Sequence, residues 1–121
     1  MSKPMGMSFE EVRQVALALP EVEEGVAYGT PAFRVRKTLL ARLREDGETM
    51  MVKADYAERE FRIAAQPETF FVTDHYVNYP ALLVRLAQVH PTDMQVLLEQ
   101  AWRYIAPKRL LKQYTVPAPA Q

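Results

Sequence analysis

The residues of this sequence with the chemistry to hold a ligand fall into two groups. The first is Tyr28, His75, Tyr76 and Tyr79, with the last three crowded into the stretch TDHYVNY, residues 73–79. Phenol and imidazole rings join an apolar body to a polar tip, so they suit a pocket for a small molecule and equally suit ordinary packing with one wet edge. Asp74 beside His75 is not a ready-made dyad, because neighbours in an extended chain point to opposite sides. A nucleophile is lacking as well: there is no cysteine, and Ser2 and Ser8 fall in a leading tail and a helix cap. No catalytic residue is assigned, and the chain is read as a non-enzyme.

The second group is basic. Arg34, Arg42, Arg44 and Lys53 are interleaved with Leu40 and Met51, with Arg36 and Lys37 close by and a further run at Lys108, Arg109 and Lys112. Guanidinium groups at strand spacing can pair with phosphates, positioning a protein on nucleic acid without reading its sequence. Fifteen Lys and Arg balance fifteen Asp and Glu, so the whole molecule lacks the positive field of a dedicated nucleic-acid binder. The balance is uneven: residues 1–33 hold two basic and five acidic side chains, residues 34–62 eight and six. Any basic surface therefore comes from the middle of the chain. Weak binding to DNA is the leading expectation. Leu40 and Met51 among arginines keep a homodimer or partner interface open, and the Tyr/His group keeps a small ligand open.

Other chemistries find no purchase. The sequence has four glycines and no glycine-rich phosphate loop, GxSxG or HExxH, so no cofactor is assigned. His75 and His90 are the only histidines, and with no thiolate no metal site is expected. No stretch approaches the ~18 apolar residues of a membrane span, and residues 1–7 have no apolar run of signal length; a cytoplasmic protein is expected.

The elements that must position these residues read as a single domain over residues 8–114, between a flexible tail at 1–7 and a disordered one at 115–121. Ser8 and Glu11 form a capping box for a helix near 9–18, whose face is Phe9, Val12, Val15, Ala16 and Leu19. Residues 21–31 read as turns. Residues 32–36, 39–44 and 49–53 follow as an antiparallel meander, with Asp46-Gly47 expected as a two-residue type I′ turn and residues 36–38 as the other turn. Parity then places Phe33, Val35, Leu39, Ala41 and Leu43 on the core face, and Arg34, Leu40, Arg42, Arg44, Thr49, Met51 and Lys53 opposite. Asp55 starts a second helix with an apolar stripe at Ala57, Phe61 and Ala64. Residues 69–73 read as a buried strand. Residues 81–89 are ambiguous by period, and a strand near 82–87 is preferred as its partner. Thr92 with Gln95 caps a helix whose stripe runs from Met94 to Ile105 and stops at Pro107. The fold class is α+β, an antiparallel sheet of five to six strands against N-terminal, middle and C-terminal helices.

Three stretches carry a family resemblance: residues 19–44 (LPEVEEGVAYGTPAFRVRKTLLARLR), 70–86 (FFVTDHYVNYPALLVRL) and 101–110 (AWRYIAPKRL). In order and spacing they resemble the MmcQ/YjbR family over nearly the whole chain. The resemblance implies a frataxin-like, CyaY-like α+β fold, described as a variant of a double-wing DNA-binding arrangement, and a DNA-binding label drawn from that likeness. One departure is visible: members tend to carry Gly in the turn where this chain has Lys37.

Overall fold

The computed structural model describes residues 6–115. The Ser8 hydroxyl accepts the Glu11 N–H at 3.1 Å while the Glu11 carboxylate accepts the Ser8 N–H at 2.9 Å, so the expected capping box opens α1, Phe9–Leu17. Then come β1 (Val22–Ala27), β2 (Thr30–Val35), β3 (Thr38–Leu43) and β4 (Thr49–Lys53), followed by α2 (Tyr56–Ala65). The chain continues through β5 (Phe70–Phe71), β6 (Ala81–Arg85), α3 (Pro91–Ile105) and α4 (Lys108–Thr115). The six strands form one antiparallel sheet in the order β1-β2-β3-β4-β6-β5, so the α+β expectation holds.

Residues 21–31, expected as turns, hold an edge strand instead. β1 lacks the alternation of a half-buried strand, and its pairing with β2 creates it: Ala27 faces Thr30 across a two-residue turn, Tyr28-Gly29, with φ of 56° and 82°. The next hairpin is also tighter than expected. Val35 faces Thr38, so only Arg36 and Lys37 make the turn, both at positive φ (50° and 77°). A bulge between Phe33 and Arg34 restores parity: Arg34 faces Leu39 and Phe33 faces Ala41, leaving Leu40 as the extra residue. Leu40 therefore enters the main core beside Ala41, and Leu39 turns to the other face, the reverse of the expected placement. The Asp46-Gly47 link is not a two-residue turn. The Gly47 N–H donates to the Arg44 carbonyl at 2.9 Å, and only Gly47 of the pair has positive φ. Asp46 accepts the N–H groups of Glu48 and Thr49 at 2.8 and 3.0 Å, which stabilises the longer loop.

α1, α3 and α4 cover one face of the sheet. Val12, Phe33, Leu40, Met50, Leu82, Met94, Leu98 and Trp102 are buried between them, and the Trp102 indole N–H donates to the Pro20 carbonyl at 2.8 Å. α4 was not expected, since Pro107 reads as a stop. It also serves as a start, because a residue without an N–H costs nothing ahead of a first helical turn, and the Leu111 N–H bonds the Pro107 carbonyl. Leu110 and Tyr114 then reach the core, with the Tyr114 ring 4.7 Å from Trp102. α3 is capped by the His90 ring, whose Nδ1 accepts the Thr92 N–H, rather than by Thr92 with Gln95. Gly6 and Met7, placed in the expected leading tail, bond the carbonyls of Val89 and Leu86; residues 1–5 and 116–121 of the two expected tails lie outside the described residues. Among the described residues no helix is long and apolar enough to cross a membrane.

Candidate ligand-binding groove

The face of the sheet away from α1, α3 and α4 carries a smaller cluster, Met51, Tyr76, Ala81 and Leu83, with Leu39, Phe71 and Val72 against it. Beside it opens a groove of about 580 Å³ lined by Tyr28, Leu39, Arg42, Arg44, Glu45, Met51, His75, Tyr76 and Tyr79. The two groups of candidate residues, separate in the sequence, thus meet in one place. Alternation along β3 and into Arg44, whose N–H still bonds the Thr49 carbonyl, puts Arg42 and Arg44 on this face, and the Tyr28-Gly29 turn carries the Tyr28 ring over the Arg42 guanidinium at 4.9 Å. The opposite wall is the 74–80 loop. The Tyr76 ring lies edge-on to His75 (centroids 4.8 Å apart) and 5.9 Å from Tyr79, with Arg44 over its face at 5.5 Å. Lys53 caps the Tyr79 ring at 5.2 Å.

The arginines differ in how far the fold has used them. Arg42, 5% exposed, donates from Nη1 to the Thr30 hydroxyl (3.0 Å) and the Leu43 carbonyl (3.2 Å), and from Nη2 to Glu45 (3.4 Å). The carboxyl of Glu45 is held below the usual range by its own backbone N–H first and by the Arg42 charge second. Arg44 makes no such contacts: its Nε is buried without a hydrogen-bond partner. Arg34 reaches only the Val26 carbonyl at 3.4 Å.

The remaining expected cations do not join this face. Arg36 forms a two-pronged ion pair with Glu21 at 2.6 and 3.1 Å, which spends its charge at the hairpin end. Lys37 is exposed at the turn, and Lys108 and Arg109 stand on α4, an element of the helical layer. The residues that suggested a homodimer are also accounted for within one chain, since Leu40 lies in the main core and Met51 is the buried floor of the groove.

Sequence reasoning missed the residue that holds the groove's wall in place. Arg59, 3% exposed, donates from Nη1 to the carbonyls of Tyr76 (3.0 Å), Tyr79 (3.0 Å) and Ala81 (3.2 Å), and from Nη2 to that of Val77 (2.9 Å). The expected apolar stripe of α2 is reversed: Ala57, Phe61 and Ala64 face solvent, Phe61 at 67% exposure, while Arg59, Arg62 and Ile63 turn inward. The cause lies outside the helix. The segment it covers turns four backbone carbonyls toward the helix, three from the 74–80 loop and one from Ala81 at the start of β6, and a buried fork of N–H donors bonds them where a Phe would not. The i, i+3, i+4 spacing of 59, 62 and 63 is the one trace of this in the sequence.

Comparison with known proteins bears on the family and the fold. The family model described as YjbR matches residues 17–104. Uncharacterized protein Mb2600 of Mycobacterium bovis and uncharacterized protein Rv2570 of Mycobacterium tuberculosis are each 42% identical over 52 residues, 43% of this chain. That match spans 40% of the length of each relative. The crystal structure of Deinococcus radiodurans protein DR2400, with family-model domain DUF419, superposes with a TM-score of 0.75 over 100% of this chain and 96% of its own, at 19% identity. This last likeness concerns the fold alone.

Proposed function

The chain belongs to the YjbR family, and from that premise we propose that it is a non-catalytic binding protein whose groove takes a small ligand. One observation carries the reading: Tyr28, Arg42, Arg44, His75, Tyr76 and Tyr79, from three separate parts of the chain, line a single concave site. A few polar groups converging over an apolar floor is the usual make-up of a small-molecule pocket. The groove's hydroxyls are phenols, and the Ser8 hydroxyl is engaged as the α1 cap. A cytoplasmic setting belongs to the same proposal, since a chain without cysteine needs no oxidising compartment. A metabolite library screened by thermal shift tests it, against the wild type and a Leu39→Trp variant that fills the floor. Binders that raise the melting temperature of the wild type and not of the variant support it. A screen without binders, or binders indifferent to Leu39→Trp, rules it out.

The four cations on this face support a second reading, weak nucleic-acid binding without sequence preference. Their alternation with Tyr28, Tyr76 and Tyr79 favours a single strand, whose bases can stack on rings, over a duplex. With Arg42 buried and paired, the other three cations would make three phosphate contacts and weaken single-strand binding on the order of 20-fold between 50 and 200 mM salt. An affinity indifferent to salt, or to replacing Arg34, Arg42 and Arg44 by Ala, excludes this reading.

A further inference from the structure

We infer that the groove's ligand carries an oxyanion head, a carboxylate or a phosphate, on a flat aromatic body, and that Arg44 is the residue that selects the head. The inference rests on the groove being a ligand site, and it adds what the ligand must be.

The case begins with the supply of donors. Arg42 is consumed by Thr30, Leu43 and Glu45, so its fork is not open to a second acceptor. Arg44 lines the same groove, just past the end of β3, yet its guanidinium makes no hydrogen bond among the described residues, and its Nε is buried without a partner. The nearby carboxylates do not supply one. Asp46 is turned to the Glu48 and Thr49 N–H groups and the Thr49 hydroxyl, and Glu45 to Arg42. Both act on Arg44 through charge alone. Nε is enclosed by protein, so the donors a ligand can meet are the Nη1 and Nη2 pair, and a planar pair of donors without an acceptor is matched by a group with two coplanar or near-coplanar oxygens, which carboxylate and phosphate share.

The rest of the lining describes the body. Leu39 and Met51 form an apolar floor, and the rings of Tyr76, Tyr79 and Tyr28 stand around it. Flat faces at several angles favour an aromatic ring system over a flexible chain, since rings gain from offset and edge contacts beyond area burial. The volume, about 580 Å³, suits one or two fused rings with a head group.

Four probes separate the parts of the inference: 2-naphthoate, 2-naphthyl phosphate, the neutral 2-naphthylmethanol, and inorganic phosphate without a body. Binding is measured by ligand-observed NMR and titration, with His75 ring protons reporting the location. Either or both naphthyl anions should bind at least tenfold tighter than the alcohol, as expected for one charge-assisted fork, and tighter than inorganic phosphate. Whichever binds more tightly names the head group. Arg44→Met should collapse the gap between anion and alcohol, and Arg44→Lys, which keeps the charge and loses the fork, should leave part of it. Thermal melts establish that both variants fold. If the alcohol binds as tightly as the anions, or Arg44→Met leaves their preference intact, the inference falls while the groove reading stands. If no naphthyl probe binds or moves the His75 signals, the inference falls, and the groove reading falls with it only where the metabolite screen also yields no binder.

Discussion

Arg59 is the side chain on which the groove depends without forming part of its lining. It bonds the carbonyls of Tyr76, Val77, Tyr79 and Ala81 from a buried position, and those of Tyr76 and Tyr79 also accept the N–H groups of Tyr79 and Ala81, so Arg59→Met should leave two acceptors without that alternative and cost about 2 kcal/mol or more in urea unfolding. Probe affinity for the groove should fall with it, because the ring-bearing loop loses its anchor. A loss below ~1 kcal/mol would mean that water replaces the guanidinium. Gly6 is a second residue whose need is set by its surroundings. Its φ is +92°, and a Cβ there would lie 2.8 Å from the Ala87 carbonyl oxygen, so Gly6→Ala should lower stability by at least ~1 kcal/mol. An unchanged melting temperature would contradict that packing. Neither role could be read from its own neighbourhood in the chain, since both partners are distant in sequence: Arg59 meets a loop 17 to 22 residues away, and Gly6 meets the segment after β6.

At the scale of elements, the hairpins decide which side chains reach the groove. The β2–β3 turn places Arg36 and Lys37 at positive φ, where a side chain costs roughly 1 kcal/mol relative to glycine. Lys37→Gly should therefore stabilise the protein by about 0.5–1 kcal/mol, visible as a higher urea midpoint with an unchanged slope. A destabilised variant would show that the lysine gains more from its surroundings than the turn loses. The helix starts at Ser8 and Asp55 were legible because a cap is a contact within three residues. The bulge at Leu40 was not. An extra residue leaves no local mark, and its effect, exchanging Leu39 and Leu40 between faces, appears only once two strands are paired. β1 escaped notice for a related reason: only its end residues, Val22 and Ala27, are buried and the four between them are exposed, so it carries no alternation.

For the molecule as a whole, the charge balance is local as well as global. Hydrogen bonds from Arg36 and Arg13 hold the carboxyls of Glu21 and Glu24 below their usual range. Burial pushes Asp46 up, but the Glu48 N–H, the Thr49 hydroxyl and the Thr49 N–H outweigh it and bring it down. Each group is more acidic folded than unfolded, so its contribution is present above the ordinary carboxylate range, about pH 4, and is lost as pH falls through the lower folded values. The urea midpoint should be level from pH 7 to about 5 and decline below about 4. Glu21→Gln should make the decline shallower, and added salt should do the same, because these pairs are solvent-exposed. A midpoint that rises on acidification would reverse the sign and refute the assignment. What the sequence determined by itself was the class of fold, most of the helices and strands, and the two sets of residues worth watching, because caps, periodicity and turn residues act over a few positions. Only the tertiary structure decided that Arg42 and Arg44 of the basic set share one groove with the Tyr/His set, that Arg42 is spent and Arg44 is not, and that an arginine faces inward on α2. Which donors find acceptors is a property of surfaces brought together from distant parts of the chain, and no local pattern encodes it.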